Sequence, residues 1–89
     1  MEAYEKRMIE EFNNLYYSIQ RGELFISGES PAFLNLPDVD KELLSKQIGH
    51  MTEYRNCLAA RIKRSKGYHE IEDAKLLGLL NDCTKDTIF

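Results

Sequence analysis

Two prolines, Pro31 and Pro37, stand between two long stretches of helical periodicity, and that interruption limits what the chain can fold into. Proline removes a backbone donor and biases the residue before it away from the helical region, so no regular helix crosses 28–38. Before the interruption, Met8, Phe12, Leu15, Ile19 and Ile26 recur at helical steps and form one apolar stripe. After it, Leu44, Ile48, Met51, Leu58 and Ile62 form a second. A short connection between two such helices makes them antiparallel neighbours. A third, weaker stripe is formed by Ile71, Ala74, Leu76 or Leu77, and Leu80, with Gly78 inside it. The predicted elements are helix one over about 2–27, a turn over 28–38, helix two over about 39–66, helix three over about 68–81, and a tail over 82–89. Gly28 is placed to close the first helix, and Asp38 or Asn35 to cap the second. Phe33, Leu34 and Leu36 are expected to fold back and plug the end of the pair.

No stretch alternates apolar and polar residues over enough positions for a sheet. The fold class is all-α: an antiparallel helical hairpin of two long helices plus a short third C-terminal helix. Eighty-nine residues make a single domain over 1–89, since two independent cores do not fit in a chain of this size. A two-helix hairpin has almost no interior, and Ile9, Tyr16, Tyr17, Leu43 and Cys57 lie beside the main seam. Such a surface on a small chain predicts an oligomeric bundle of identical copies.

Several function classes are excluded at this level. No apolar run approaches the ~20 residues that span a bilayer. Glu2, Glu5, Lys6 and Arg7 precede Ile9, which is not the pattern of a secretory leader. Cys57 and Cys83 read as free thiols of a reducing compartment. A net charge of −3 argues against general nucleic-acid binding. Catalysis has little support, because His50 and His69 are far apart and neither belongs to a metal-spaced set with the cysteines. His69 and Asp73, at i and i+4, read as a surface contact. There is no glycine-rich phosphate loop, nucleophile elbow or carboxylate pair, so the expectation is a protein without enzyme activity, metal or cofactor. Glu2, Glu5, Glu10 and Glu11 read as complements to the dipole of the first helix.

The bases are concentrated. Residues 55–66 hold five, Arg55, Arg61, Lys63, Arg64 and Lys66, and no acid. Bases near a helix C-terminus complement its dipole, which is the plain explanation. The sharper one is an anion site for phosphates, completed by a neighbouring chain. A second feature runs beside the Leu44, Met51, Leu58 row: Gln47, Tyr54 and Arg61 recur every seven residues. A polar line next to an apolar seam needs partners, because buried unpaired groups cost about 1–3 kcal/mol each. Glu5 and Glu11 are candidate partners for Arg61, with Gln47 and Tyr54 bonding across an oligomer seam. The functional alternative is a groove in which Tyr54 stacks on a base and Arg61 holds a phosphate. Tyr4, Tyr16, Tyr17 and Tyr68 are further rings available to such a groove. The candidate ligand residues are Gln47, Tyr54, Arg55, Arg61, Lys63, Arg64 and Lys66.

As a pattern, the chain resembles a small, functionally uncharacterised helical-hairpin family of tailed phages, the crAss-like phages among them. Tyr4, Glu5, Arg7, Met8, Glu11, Phe25-Ile26, Phe33, Leu36, Leu43-Leu44, Gln47, Met51, Tyr54, Leu58 and Arg61-Ile62 carry the likeness, which covers about residues 4–62. The chain departs from the pattern at Gly28 and in the segment after Ile62. The resemblance implies a phage origin and the host cytoplasm as the place of action. By analogy with other small phage proteins, it implies an anti-defence sponge that sequesters a small nucleotide signal in a pocket between subunits. The alternatives are a helical inhibitor docked on a host enzyme or defence effector, and a structural coiled coil without a ligand.

Overall fold

The computed structural model describes residues 1–28 and 30–85, and among these every regular element is helical. Helix α1 runs Ala3–Ser27, a short α2 Pro31–Leu34, α3 Asp38–Arg64 and α4 Ala74–Thr84, with a 3-10 turn over Lys66–Glu70 between α3 and α4. Part of the predicted tail, Asp82 to Thr84, is therefore helical, while 86–89 lie outside the described residues.

Helix α1 ends where Gly28 donates its N–H to the Leu24 carbonyl at 2.8 Å, with a φ of −78° that any residue can adopt. The turn is more ordered than the prolines alone suggest. Ser30 caps α2 by accepting the Ala32 amide at 3.3 Å, and Pro31 takes the first helical position, where its missing N–H is no loss. Phe33 folds back onto Phe25 with ring centroids 5.7 Å apart, and Leu36, whose amide donates to the Phe33 carbonyl at 3.1 Å, is half-buried. Leu34 does not join them and stays 55% exposed. The predicted cap of the second long helix is corrected: Pro37 occupies the N-cap, and no side chain of Asp38 or Asn35 bonds the first turn. Asp38 and Asp40 sit inside that turn and complement its dipole instead.

Helices α1 and α3 meet along their length, and the contact positions climb one helix as they descend the other. Glu5 bonds Gly67, Phe12 shares a cluster with Leu58, and Gly22 faces Ile48. Gly22 reads from sequence as a weak point in a helix, yet a Cβ there would run into the end of the Ile48 side chain. Glycine there lets the end of Ile48 lie against the α1 backbone.

The predicted third helix over 68–81 is the main departure. Residues 66–70 take the tighter 3-10 form, 71–73 are extended, and α4 starts only after Asp73. The Asp73 carboxylate accepts the amides of Lys75 at 3.0 Å and Leu76 at 3.3 Å, an N-cap that sets the true start. Helix α4 then lays Leu76, Leu80 and Cys83 over Met8, Phe12, Leu58, Ala59 and Ile62. Phe12, Leu58, Ile62 and Leu80 lose essentially all contact with solvent. This is the thick end of the molecule. At the other end, where α4 is absent, α3 has no buried residue from Asp38 to Cys57, and Ile19 is the last buried residue of α1.

Candidate functional site

The basic residues fall in the last turns of α3, where Arg61, Lys63 and Arg64 complement the dipole. Helical geometry then distributes them over different faces. Arg55 turns toward α1, its guanidinium carbon 5.6 Å from the centre of the Tyr16 ring, with Nε and Nη2 donating to Asn56 Oδ1 at 3.2 and 3.1 Å. Lys63 turns toward α4 and donates to the Thr84 hydroxyl at 3.2 Å, a contact that helps hold that helix down. Arg61, Arg64 and Lys66 stay exposed.

The heptad row does not act as one surface. Gln47, Tyr54 and Arg61 are all exposed, but the ends of the row are about 21 Å apart at 1.5 Å per residue. Gln47 and Tyr54 line an open, mostly apolar trough with Leu43, Lys46, His50 and Met51. Arg61 belongs elsewhere. It lines a shallow recess of about 280 Å³ with Tyr4, Met8, Arg64 and Ser65. Tyr4, Arg64 and Ser65 also border an adjoining recess of about 560 Å³, whose wall adds Met1, Glu2, Glu5, Lys66 and Glu70. The ring that meets the bases is thus Tyr4, 53% exposed in the first turn of α1, rather than Tyr54.

The electrostatics of this basin follow from which charges are already engaged. Glu5, 2% exposed, accepts the Glu2 amide on Oε1 at 2.9 Å and the Gly67 amide on Oε2. Those two backbone donors, Glu2 first and Gly67 second, hold its carboxyl below the usual range against the opposing effect of burial. A Cβ at Gly67 would stand 2.6 Å from Glu5 Oε2, so the site needs glycine there for the close approach. Glu70 pairs with the Met1 ammonium at 3.0 Å. The expected pairing of Arg61 with Glu5 or Glu11 is not formed: Glu5 serves backbone amides, and among the described residues no ion pair involves Arg61, Arg64 or Lys66. Of the three carboxylates on the basin wall, Glu5 and Glu70 are engaged; among the described residues Glu2 forms no ion pair, and the guanidiniums of Arg61 and Arg64 also form none. Such an arrangement is suited to holding an anion, with an aromatic face beside it.

Among the described residues, no group of three or more His, Cys, Asp or Glu side chains converges as a metal site. No helix is long and apolar enough to cross a membrane.

Fold and basin together define a small all-helical protein with a hollow of mixed charge at the thick end of a helix pair, where Tyr4 stands beside Arg61, Arg64 and Lys66. The chain belongs to the Sequestin family, whose model matches residues 2–64. It is 38% identical over 66 residues to an uncharacterized 7.5 kDa protein from the denB-rIIB intergenic region of Enterobacteria phage T4, a match covering 74% of this chain and 100% of that relative. No solved structure matches. The family match takes in Tyr4, Arg61 and Arg64 and stops before α4.

Proposed function

We propose that this protein sequesters a small anionic nucleotide that serves as a host immune signal, binding it without chemical change in the cytoplasm of the infected cell. The observation that carries the reading is the basin at Tyr4, where Arg61, Arg64 and Lys66 form no ion pair among the described residues. A ring for the base and bases for the phosphates are the groups such a ligand requires. Membership of a family named for sequestration, and likeness to a phage protein, support the same reading, with crAss-like phages among the sources it suggests. The recess is shallow in one copy, so the working form is an oligomer of antiparallel hairpins, in which a second copy closes the hollow and excludes water.

Calorimetry with a panel of cyclic and ADP-ribose-type nucleotides tests this. One member is expected to give saturable heat and to be recovered intact after denaturation; silence across the panel overturns the reading. Arg61→Ala is expected to abolish binding with the far-UV helix signal unchanged. Loss of fold in that variant would assign Arg61 a structural role instead. A second reading, a helical inhibitor of a host protein, draws on exposed Tyr17, Leu43 and Tyr54. Capture from host lysate separates the two: a stoichiometric protein favours inhibition, and a co-purified ultraviolet-absorbing small molecule favours sequestration.

A further inference from the structure

The basin leaves one surface of the molecule unused. From Asp38 to Cys57, about 30 Å of α3 at 1.5 Å per residue, no side chain is buried. The exposed face of this stretch is mixed, with apolar surface set among polar side chains. Leu43 is 56% and Tyr54 49% exposed, Met51 is half-buried, and together they line the trough with Lys46, Gln47 and His50.

We propose that this face pairs with the same face of a second copy, the two α3 helices running antiparallel about a two-fold axis between residues 48 and 49. The proposal rests on the oligomeric part of the reading above and specifies its surface and register; it needs no ligand.

Size argues for a partner. The chain exposes 6299 Å², against about 5,400 Å² for a compact monomer of its mass. The excess of about 900 Å² goes with an elongated shape, 46 × 23 × 22 Å, whose thin end leaves α3 uncovered on one side. The radius of gyration is 15.4 Å, where a compact domain of this length has about 12 Å.

Pattern argues that the partner is this chain itself. Leu43, Gln47, His50 and Tyr54 alternate steps of four and three, a seam of the kind that packs helix on helix. Centred between 48 and 49, antiparallel pairing sets Leu43 against the partner's Tyr54, and Gln47 against the partner's His50. An isologous contact makes each pair twice. Lys46 and Glu53 lie seven residues apart on one edge of this seam, and antiparallel pairing brings like edges together. Lys46 therefore comes within one turn of the partner's Glu53, and Glu53 within one turn of the partner's Lys46. In the single copy Lys46 pairs with Glu42 at 3.3 Å, a largely solvated contact easily given up. A parallel arrangement instead sets Lys46 and the partner's Glu53 on opposite sides of the seam. The register also has a consequence for the basin. The partner's α3 begins opposite Ala59, so the partner's 30–37 turn lies beside Arg61.

Sedimentation equilibrium of the full chain, from low to high micromolar concentration, is the test. The expected result is reversible association to twice the 10.4 kDa chain mass. Leu43→Glu should weaken association at least tenfold while far-UV circular dichroism stays unchanged, since that side chain is already exposed. Lys46→Glu and Glu53→Lys should each weaken it several-fold, and the double exchange should restore it. A monomer at every concentration overturns the proposal, as does association that Leu43→Glu leaves intact. A double exchange no better than the single changes overturns the antiparallel register, and a foreign protein seated on this face in place of a second copy overturns the choice of partner. Nucleotide heat retained by a monomeric chain would sink this inference and the oligomeric part of the functional reading, and spare nucleotide sequestration itself. Self-association without any nucleotide heat would do the reverse.

Discussion

Glu5 shows what a sequence reading cannot weigh at the level of one residue. An acid in the first turn of a helix has a sufficient local explanation in the dipole. Nothing nearby in sequence signals that its carboxylate is buried under an amide 62 positions away. The physical consequence is a pH dependence with a definite sign. The folded state holds the Glu5 carboxyl below its ordinary pKa, so the unfolded chain takes up the proton more readily. Its contribution to stability is complete above the ordinary glutamate range, near about pH 4.3, and is lost as pH falls through the lowered folded-state value. The melting temperature should drop on acidification, and Glu5→Gln should flatten that drop while lowering stability at neutral pH. Parallel curves for the two proteins would refute the assignment. The two cysteines also differ at this scale. Cys57 is exposed; Cys83 is 8% exposed, and burial pushes its thiol pKa up, with Arg55 opposing and Asp82 adding. A thiol-disulfide reagent should therefore label one cysteine quickly and the other slowly in the native protein, and both quickly in denaturant.

At the level of elements, the two long helices were legible because an apolar stripe of period 3.6 is a property of many residues at once, and one weak position such as Gly22 does not erase it. Their ends were less so. A cap depends on the backbone angles of one residue, and Asp38 offers the same chemistry as Asp73 without adopting the capping role. The start of α4 is hidden from the sequence for this reason. His69 to Asp73 has helical composition, but Gly67 is drawn against Glu5 and the chain must re-aim before it can lie on α3. The cap at Asp73 makes a measurable difference: Asp73→Ala should destabilise the fold by about 1 kcal/mol in urea unfolding. Leu80→Ala, which empties a fully buried position, should cost about 2–5 kcal/mol. A smaller loss for Leu80 than for Asp73 would show that α4 is not the cover of the core. The candidate site was legible to a similar degree. Periodicity exposed the row of Gln47, Tyr54 and Arg61 on α3, whereas the placement of Tyr4 beside Arg61 depends on how two helices are offset, which no single stripe records.

The whole molecule is uneven in thickness, and its stability should be uneven in the same way. Three helices enclose Phe12, Leu58, Ile62 and Leu80 at one end, while two helices with half-exposed contacts make up the other. Local opening is easiest where few apolar contacts must be given up, so amide exchange should be slowest around Leu58 to Ile62 and α1 near Phe12, and faster over the first half of α3. A single chain keeps that gradient at any concentration. A chain that pairs through the first half of α3 does not, because binding stabilises the state that binds in proportion to occupancy. Raising the protein concentration should then slow exchange selectively between Leu43 and Tyr54, and leave the already protected thick end almost unchanged. Leu43→Glu should move the concentration effect at least tenfold higher in concentration without altering the gradient measured in dilute solution. Uniform slowing along the chain would instead point to non-specific association, and exchange independent of concentration would mean that the thin end stands alone.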